Sequence, residues 1–452
     1  MSRKEEILPA TFVKGMTNLF TEKFDEAIAD FTKTIALDPG FVPAYNQRAC
    51  AYLFLQQCEL AIADCKTAIK LDPDMAESYG QLGLTHSTME QHEKAIYYYT
   101  IALEIDPKNA ITHTYLGVSH WELEQNERAV DSFTTALQIN PEFGPVYTKR
   151  ANALVKLRQF DRAMEDYNKG ITLNPKGTPS YADSHNGRGI AYAKMDQFKK
   201  AIADFTIAIK IEPDNSSPFF NRGNAYQEEG QFAKAIKDYT MATTLQPGEL
   251  QYYFARADLL CHLRDYTGCV ADYTSIIKLD AQNATAYLQR GSILCLLGRF
   301  AKAVKDFTKT ITLQSTFENA HALRGDAYFQ LKNFPLALQD YTAAIELDDT
   351  HSTIRSHRGN IHFELQKYDD AIVDYSKAIE LDDTHSANFF NRGLCYSTLE
   401  QYEKAIADYS QALEGDPDEP MTYLQRGRAY KSLGKNSLAD ADMLKAKRLE
   451  GK

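Results

Sequence analysis

NRGNAYQEEGQFAKAIKDYTMATTLQP, residues 221–247, carries the pattern that decides the fold. Ala235 sits near its centre, Gly223 twelve residues earlier, Tyr239 four later and Pro247 twelve later. Positions 235, 239, 242 and 243 share one face of a helix; 219, 223 and 226 share one face of another. A small residue on each facing surface lets two helix backbones approach closely, with rings filling the space on either side. Glycine inside a helix costs about 1 kcal/mol relative to alanine, so Gly223 marks a steric need.

The pattern repeats along the chain. The place of Ala235, here called the anchor, is also held by Ala27, Ala61, Ala95, Ala129, Ala163, Ala201, Cys269, Ala303, Ala337, Ala371, Ala405 and Ala439. The spacing is 34 residues throughout, except for 38 between Ala163 and Ala201. Glycine or alanine stands twelve residues before every anchor, and an aromatic residue stands four after it in eleven of the thirteen copies. Eight of the 15 prolines lie twelve after an anchor, where they end a second helix, and none is expected in a helix interior. Pro9, Pro43, Pro145, Pro218 and Pro420 fall where a first helix should begin. A fixed period of this length is the signature of a stacked two-helix unit.

Segments such as 221–247 resemble the tetratricopeptide repeat, in thirteen copies over about residues 8–452. The resemblance implies an all-α fold: a right-handed superhelical α-solenoid of stacked helix-turn-helix hairpins, its concave face lined by the first helix of each. On this reading a short leader, 1–7, precedes repeats at 8–41, 42–75, 76–109, 110–143 and 144–177. After an insertion at 178–181 come 182–215, 216–249, 250–283, 284–317, 318–351, 352–385, 386–419 and 420–452. Little chain is left over for a catalytic domain. The last repeat, with Asn436 and Lys447 in place of aromatic and apolar residues, suits a solvated end cap.

The chain departs from the family thirteen residues before the anchor, where an apolar residue is usual. Ten copies have arginine there, among them Arg222 and Arg392, and eleven have aspartate three after the anchor, among them Asp238 and Asp408. The exceptions coincide: Leu82 goes with Tyr98, and Leu116 with Ser132. Pairing within one repeat leaves no orphan, whereas pairing with the next repeat would strand Asp64 and Arg150. An arginine at a half-buried helix site needs a partner, so a structural ion pair joining the two helices of one hairpin is expected. The alternatives are that two related repeats lost both residues independently, or that the arginines grip ligand carboxylates.

In this family, ligands lie along the concave face. The resemblance directs the residues fifteen, fourteen and eleven before the anchor towards it. At fourteen stand Gln47, Gln81, Lys149, Asn221, Gln289, Asn391 and Gln425; at eleven stand Asn152, Asn224 and Asn360. Carboxamides both donate and accept, which suits an extended peptide backbone. A polar solvent-facing helix side would look the same. The family's clamp for an acidic chaperone tail needs lysine at fifteen before the anchor, and no copy has it. Phe12, Phe220, Phe254 and Phe390 stand there instead, either as apolar pockets for a partner or as packing between hairpins.

The remaining composition narrows the function. A net charge of −11 argues against a nucleic-acid groove. No apolar run is long enough for a membrane span or signal peptide. The seven cysteines are odd in number and show no C-x-x-C spacing, which points to reduced thiols and a cytoplasmic setting, with a cilium or the cytoskeleton as possible sites. Cys50, Cys58 and Cys65 are expected as buried thiols, not metal ligands. His86, His120 and His362, nine before their anchors, are expected in the core or at interfaces. No nucleotide, hydrolase or zinc-protease motif occurs, so no cofactor, no metal and no enzymatic activity are expected. The leading expectation is a scaffold or adaptor binding extended or helical segments of other proteins; the alternative is a structural subunit of a large assembly held by its convex faces.

Overall fold

A computed structural model of the protein describes residues 3–316 and 318–450, and side chains from Ala10 onward apart from residue 318. All regular structure in the described residues is helical. The chain divides into two compact units, Met1–Gln246 and Pro247–Lys452.

The first unit holds seven hairpins: α1 (Arg3–Phe20) with α2 (Phe24–Leu37), α3 (Val42–Phe54) with α4 (Cys58–Leu71), α5 (Ala76–Thr88) with α6 (His92–Ile105), α7 (Ala110–Glu122) with α8 (Asn126–Ile139), α9 (Gly144–Lys156) with α10 (Phe160–Leu173), α11 (Pro179–Lys194) with α12 (Phe198–Ile211), and α13 (Ser216–Glu228) with α14 (Phe232–Leu245). The second holds six: α15 (Leu250–His262) with α16 (Tyr266–Leu279), α17 (Ala284–Leu296) with α18 (Phe300–Leu313), α19 (Glu318–Gln330) with α20 (Phe334–Leu347), α21 (Ser352–Glu364) with α22 (Tyr368–Leu381), α23 (Ser386–Thr398) with α24 (Tyr402–Gly415), and α25 (Pro420–Ser432) with α26 (Asn436–Glu450).

The steric reading of the anchor holds in both units. Ala27, Ala235, Ala303 and Ala405 have no solvent exposure, and the rings four residues on, such as Phe31, Tyr239, Phe307 and Tyr409, are buried against them. A Cβ built on Gly223 would lie 2.7 Å from Cε1 of Tyr239. The glycine is therefore the room that the ring occupies. Each first helix packs on its own second helix and on the second helix of the preceding hairpin in its unit. Most also touch the next first helix, while no comparable contact joins successive second helices. Within each unit the first helices thus form the crowded inner side.

The turn inside each hairpin is set by one residue, five before the anchor, in the left-handed region. Gly230, Gly298 and Gly434 fill it, but Gln56, Glu90, Glu124, Arg264 and Gln366 adopt φ of 57–62° there. Some helix starts are capped by a side chain: Asn215 Oδ1 accepts from Ser217 N and Asn283 Oδ1 from Ala286 N. The two sequons are thus helix caps in this fold.

Two expectations differ from what is found, and the insertion takes a definite form. α1 begins at Arg3, five residues ahead of the boundary at 8, because the Arg-Lys-Glu-Glu run favours helix. Pro9 therefore lies inside α1 and removes one backbone donor there. The insertion lengthens a helix: α11 starts at Pro179, capped by Thr178 Oγ1 on Tyr181 N, and is 16 residues long where its neighbour α9 has 13. Finally, not every thiol is free. Cys261 on α15 and Cys269 on α16 are joined, with Cα atoms 5.7 Å apart. Their eight-residue separation spans the hairpin turn, so no short motif announced the pair. No helix among the described residues is long and apolar enough to cross a membrane.

Candidate functional site

The arginine forks close on the aspartates of their own hairpins. Arg222 donates from Nε and Nη2 to the two carboxylate oxygens of Asp238 at 2.7 and 2.9 Å. Arg392 does the same with Asp408 at 2.8 and 2.7 Å. Burial opposes the charge on Arg222, but the Asp238 hydrogen bonds and charge more than offset it and hold the guanidinium above its ordinary pKa. The remaining nitrogen also has a partner. Arg222 Nη1 donates to Thr206 Oγ1 and Arg392 Nη1 to Ser376 Oγ, each on the preceding hairpin. Arg48, Arg150, Arg290, Arg324, Arg358 and Arg426 repeat the arrangement. The legible signal for it was a Thr or Ser five residues after the anchor. These forks are spent on the fold and are not available to grip a ligand.

Hairpins 3 and 4 solve the same site without charge. Leu82 is buried, and the His86 ring stacks on Tyr98 at 5.3 Å with Nδ1 at 3.1 Å from Gln91 Oε1. His120 meets Gln125 Oε1 at 2.8 Å. Burial pulls both imidazoles below their ordinary pKa, with the glutamine contacts acting the other way.

The amide stripe lies along the seam between neighbouring first helices. Asn221 Nδ2 donates to Asn186 Oδ1, Asn391 Nδ2 to Asn360 Oδ1, and Gln47 Nε2 to Glu77 Oε1. Burial raises the Glu77 carboxyl while Gln47 draws it down. Gln81 Nε2 is buried with no hydrogen-bond partner, beside a cavity of about 640 Å³ walled by Phe54, Ile111 and Tyr115. Gln289 is exposed on a cavity of about 410 Å³ in hairpins 9 to 11. Gln425 Nε2 lies 3.8 Å from Met421 Sδ.

The three asparagines eleven before the anchor have a task the sequence reading missed. Each accepts the hydroxyl of the tyrosine four after the anchor of its own hairpin: Asn152 from Tyr167 at 2.6 Å, Asn224 from Tyr239 at 2.8 Å, Asn360 from Tyr375 at 2.7 Å. Asp258 and Asp326 do the same for Tyr273 and Tyr341. Where the ring is phenylalanine the partner is apolar or small: Phe31 with Met16, Phe133 with Val118, Phe205 with Ile190, Phe307 with Ser292. Tyr99 and Tyr409 break the rule, with Leu84 and Leu394, and their buried hydroxyls are left with only loose contacts to Ser87 and Ser397. That correlation was visible in the sequence. Its chemical result is orientation: with Oδ1 of Asn152 and Asn224 held by a phenol, their Nδ2 groups face outward as donors.

The phenylalanines are half-buried. Phe220, Phe254 and Phe390 rest on Tyr239, Tyr273 and Tyr409 with ring centroids 5.8, 6.1 and 5.9 Å apart, and Phe12 on Phe31 and Phe41. Phe390 also lines a cavity of about 380 Å³ with Met421. Lys149 and Asn152 line a cavity of about 450 Å³ with Trp121, Asn186 and Lys194.

Among the described residues no group of three or more His, Cys, Asp or Glu is placed to hold a metal. Cys65 is buried and its thiol pushed up to about 12 by burial; Cys50 and Cys58 are only half-buried, since both sit towards helix faces that border solvent.

Comparisons with known proteins agree on the repeat. Family models of the tetratricopeptide repeat match residues 42–75, 76–109, 114–143, 144–176, 182–215, 217–249, 318–351, 353–385, 389–419 and 422–452. Among solved structures the chain is similar to that of the APC/C hetero-tetramer Cut9–Hcn1, 14% identical over 100% of this chain and 94% of that one, with a TM-score of 0.42. It is also similar to YrrB, described as a TPR protein with an unusual peptide-binding site, at 24% identity over 42% and 95% with a TM-score of 0.35. PilF of Pseudomonas aeruginosa is 21% identical over 48% and 97%, with a TM-score of 0.42. No curated protein matches the chain.

Proposed function

Because this chain belongs to the tetratricopeptide repeat family, we propose that it is a non-catalytic scaffold or adaptor that takes extended or helical segments of partner proteins along its first helices. The observation that carries this reading is the set of oriented amides. Asn152 and Asn224 present Nδ2 donors on the inner side of the first unit, and a peptide carbonyl is the natural acceptor for such a donor. Their orientation is fixed before any ligand arrives, which lowers the ordering cost of binding. The exposed Phe54, Ile111 and Tyr115 supply apolar contact in hairpins 2 to 4 of the same unit. A net charge of −11 supports protein over nucleic acid as the partner, and the five cysteines that stay free beside the Cys261–Cys269 pair support a cytoplasmic setting.

The test is a selection of peptides from a display library against the whole chain, repeated with Asn152→Asp, Asn224→Asp and Asn360→Asp combined. Aspartate keeps the acceptor for the tyrosine hydroxyl, as Asp258 and Asp326 already do, but removes the donor. Loss of the selected peptides with an unchanged melting curve is expected. Full retention of every peptide contradicts the reading.

A second reading, a structural subunit of a ciliary or cytoskeletal assembly held by the second helices, draws on Tyr97 and Val373, 61% and 66% exposed. These stand singly in different hairpins, and isolated apolar residues are ordinary on a protein surface.

A further inference from the structure

Hairpin 8 is the one place where the anchor is not alanine. Cys269 stands there, with no solvent exposure, and Cys261 stands eight residues before it. Hairpin 9 alone also has a cysteine eight before its anchor, Cys295, but its anchor is Ala303. The two sulfurs of hairpin 8 are bonded, whereas Cys50, Cys58, Cys65, Cys295 and Cys395 are free. Five free thiols suit a reducing setting, and a single disulfide in such a setting is redox-linked rather than a staple fixed at folding.

The two sulfurs are not equivalent. Cys261, in the last turn of α15, is half-buried; Cys269, in the first turn of α16, is buried. Thiol–disulfide exchange starts at the sulfur a reagent can reach, here that of Cys261. The hairpin also has other ties. Arg256 donates from Nε and Nη2 to Asp272 at 2.8 and 2.6 Å, the Tyr273 hydroxyl donates to Asp258 at 3.1 Å, and Asp265 Oδ1 accepts from Gly268 N at 3.0 Å. Opening the bond therefore leaves the two helices docked and frees only the turn between them, where Arg264 holds a left-handed backbone. Cys295 is a built-in comparison. It is half-buried, and burial with the Asp326 charge pushes its thiol up to about 11, so it is a poor attacking group.

We propose that Cys261 and Cys269 are a redox-active pair, a thiol-modification site whose oxidant is a small-molecule disulfide such as oxidised glutathione. The Cys261 thiolate attacks one sulfur of the oxidant, forming a mixed disulfide and releasing one thiolate. Cys269 then loses its proton and attacks the Cys261 sulfur, which closes the intramolecular bond and expels the second glutathione as a thiol. Two cysteine thiols are oxidised by two electrons, and one disulfide is reduced to two thiols. In the reverse direction an external thiolate attacks Cys261, Cys269 leaves and takes up a proton, and a second thiol clears the mixed disulfide. Closure tightens the turn of hairpin 8. The proposal does not depend on the groove; it shares only the cytoplasmic setting, and its test is decided in solution whatever the compartment.

The test equilibrates the whole chain in glutathione mixtures from mostly reduced to mostly oxidised, quenches in acid, and reads free thiols residue by residue by alkylation and mass spectrometry. Cys261 and Cys269 pass together from free to bonded across the series, while Cys295 stays free. A pair that stays bonded in reduced glutathione, or never closes in oxidised glutathione, overturns the proposal. Two variants read the order of attack. Cys269→Ala, which installs the anchor of the other twelve hairpins, traps glutathione on Cys261, and Cys261→Ser leaves Cys269 unmodified. Glutathione on Cys269 in the second variant, or none on Cys261 in the first, overturns Cys261 as the receiving sulfur. Amide exchange between residues 261 and 269 slows about tenfold on oxidation, with the circular dichroism unchanged. Equal exchange in the two states overturns the tightening of the turn.

Discussion

Tyr239 and Tyr99 hold the same place in hairpins 7 and 3, yet one hydroxyl meets Asn224 and Gln227 and the other has only a loose contact with Ser87. Tyr239→Phe should cost about 1 kcal/mol, while Tyr99→Phe should be close to neutral, since a buried hydroxyl with so weak a partner gains little from it. Denaturation midpoints of the two variants check this, and equal losses would contradict it. The Arg222–Asp238 pair gives a second test. Asp238→Asn leaves a half-buried guanidinium without its counter-charge and should cost about 3 kcal/mol. Replacing the pair together with the residues of hairpin 3, Arg222→Leu with Asp238→Tyr, should cost far less. Equal destabilisation by single and double changes would mean the pair is not coupled. At this scale the sequence was partly legible. Arginine and aspartate could be matched because their absences coincide at Leu82 and Leu116. The third bond, from Nη1 to a hydroxyl on the preceding hairpin, left its mark as the Thr or Ser five residues after the anchor, but that mark gains a meaning only once the stacking of hairpins is known.

At the scale of helices and turns, most of the fold was readable because its determinants are steric and periodic. Ala235, Gly223, Tyr239 and Pro247 each act through volume or backbone geometry, which a sequence states directly. What escaped was chemistry made by proximity. Cys261 and Cys269 meet only when α15 and α16 fold together, and the turn residue five before the anchor is glycine too seldom to reveal its left-handed backbone. Gln366→Gly should accordingly stabilise hairpin 11 by up to about 1 kcal/mol, read as a higher denaturation midpoint. Hairpins 3 and 4 carry a pH response. His86 and His120 are buried and their pKa values lowered, so the folded state prefers the neutral ring. The unfolded chain then binds more protons; the stability contributed is complete above about pH 6.5 and falls as pH drops below it. Asp204, where burial is outweighed by Arg188 and His185, titrates below its ordinary value and keeps its contribution in that range. Hydrogen exchange in α5 to α8 should therefore quicken between pH 7.5 and 5.5, after correction for the intrinsic rate. His86→Tyr with His120→Tyr, the residue type at Tyr52 and Tyr226, should abolish the effect. Its persistence would assign it elsewhere.

Over the whole molecule, each hairpin buries its anchor and ring only against its neighbours. The inner face can therefore vary from hairpin to hairpin without loss of the stack. Hairpins 2 to 4 present Phe54, Ile111 and Tyr115, hairpins 5 and 6 present lysines, and hairpins 7 and 12 present Asn221 and Asn391. That variation on a constant frame is what a chain needs in order to read a partner segment by segment. The most direct measurement is hydrogen exchange on the intact protein with and without a library-selected peptide. The account predicts slowed exchange in first helices, α9, α11 and α13 above all. Protection confined to second helices would contradict it.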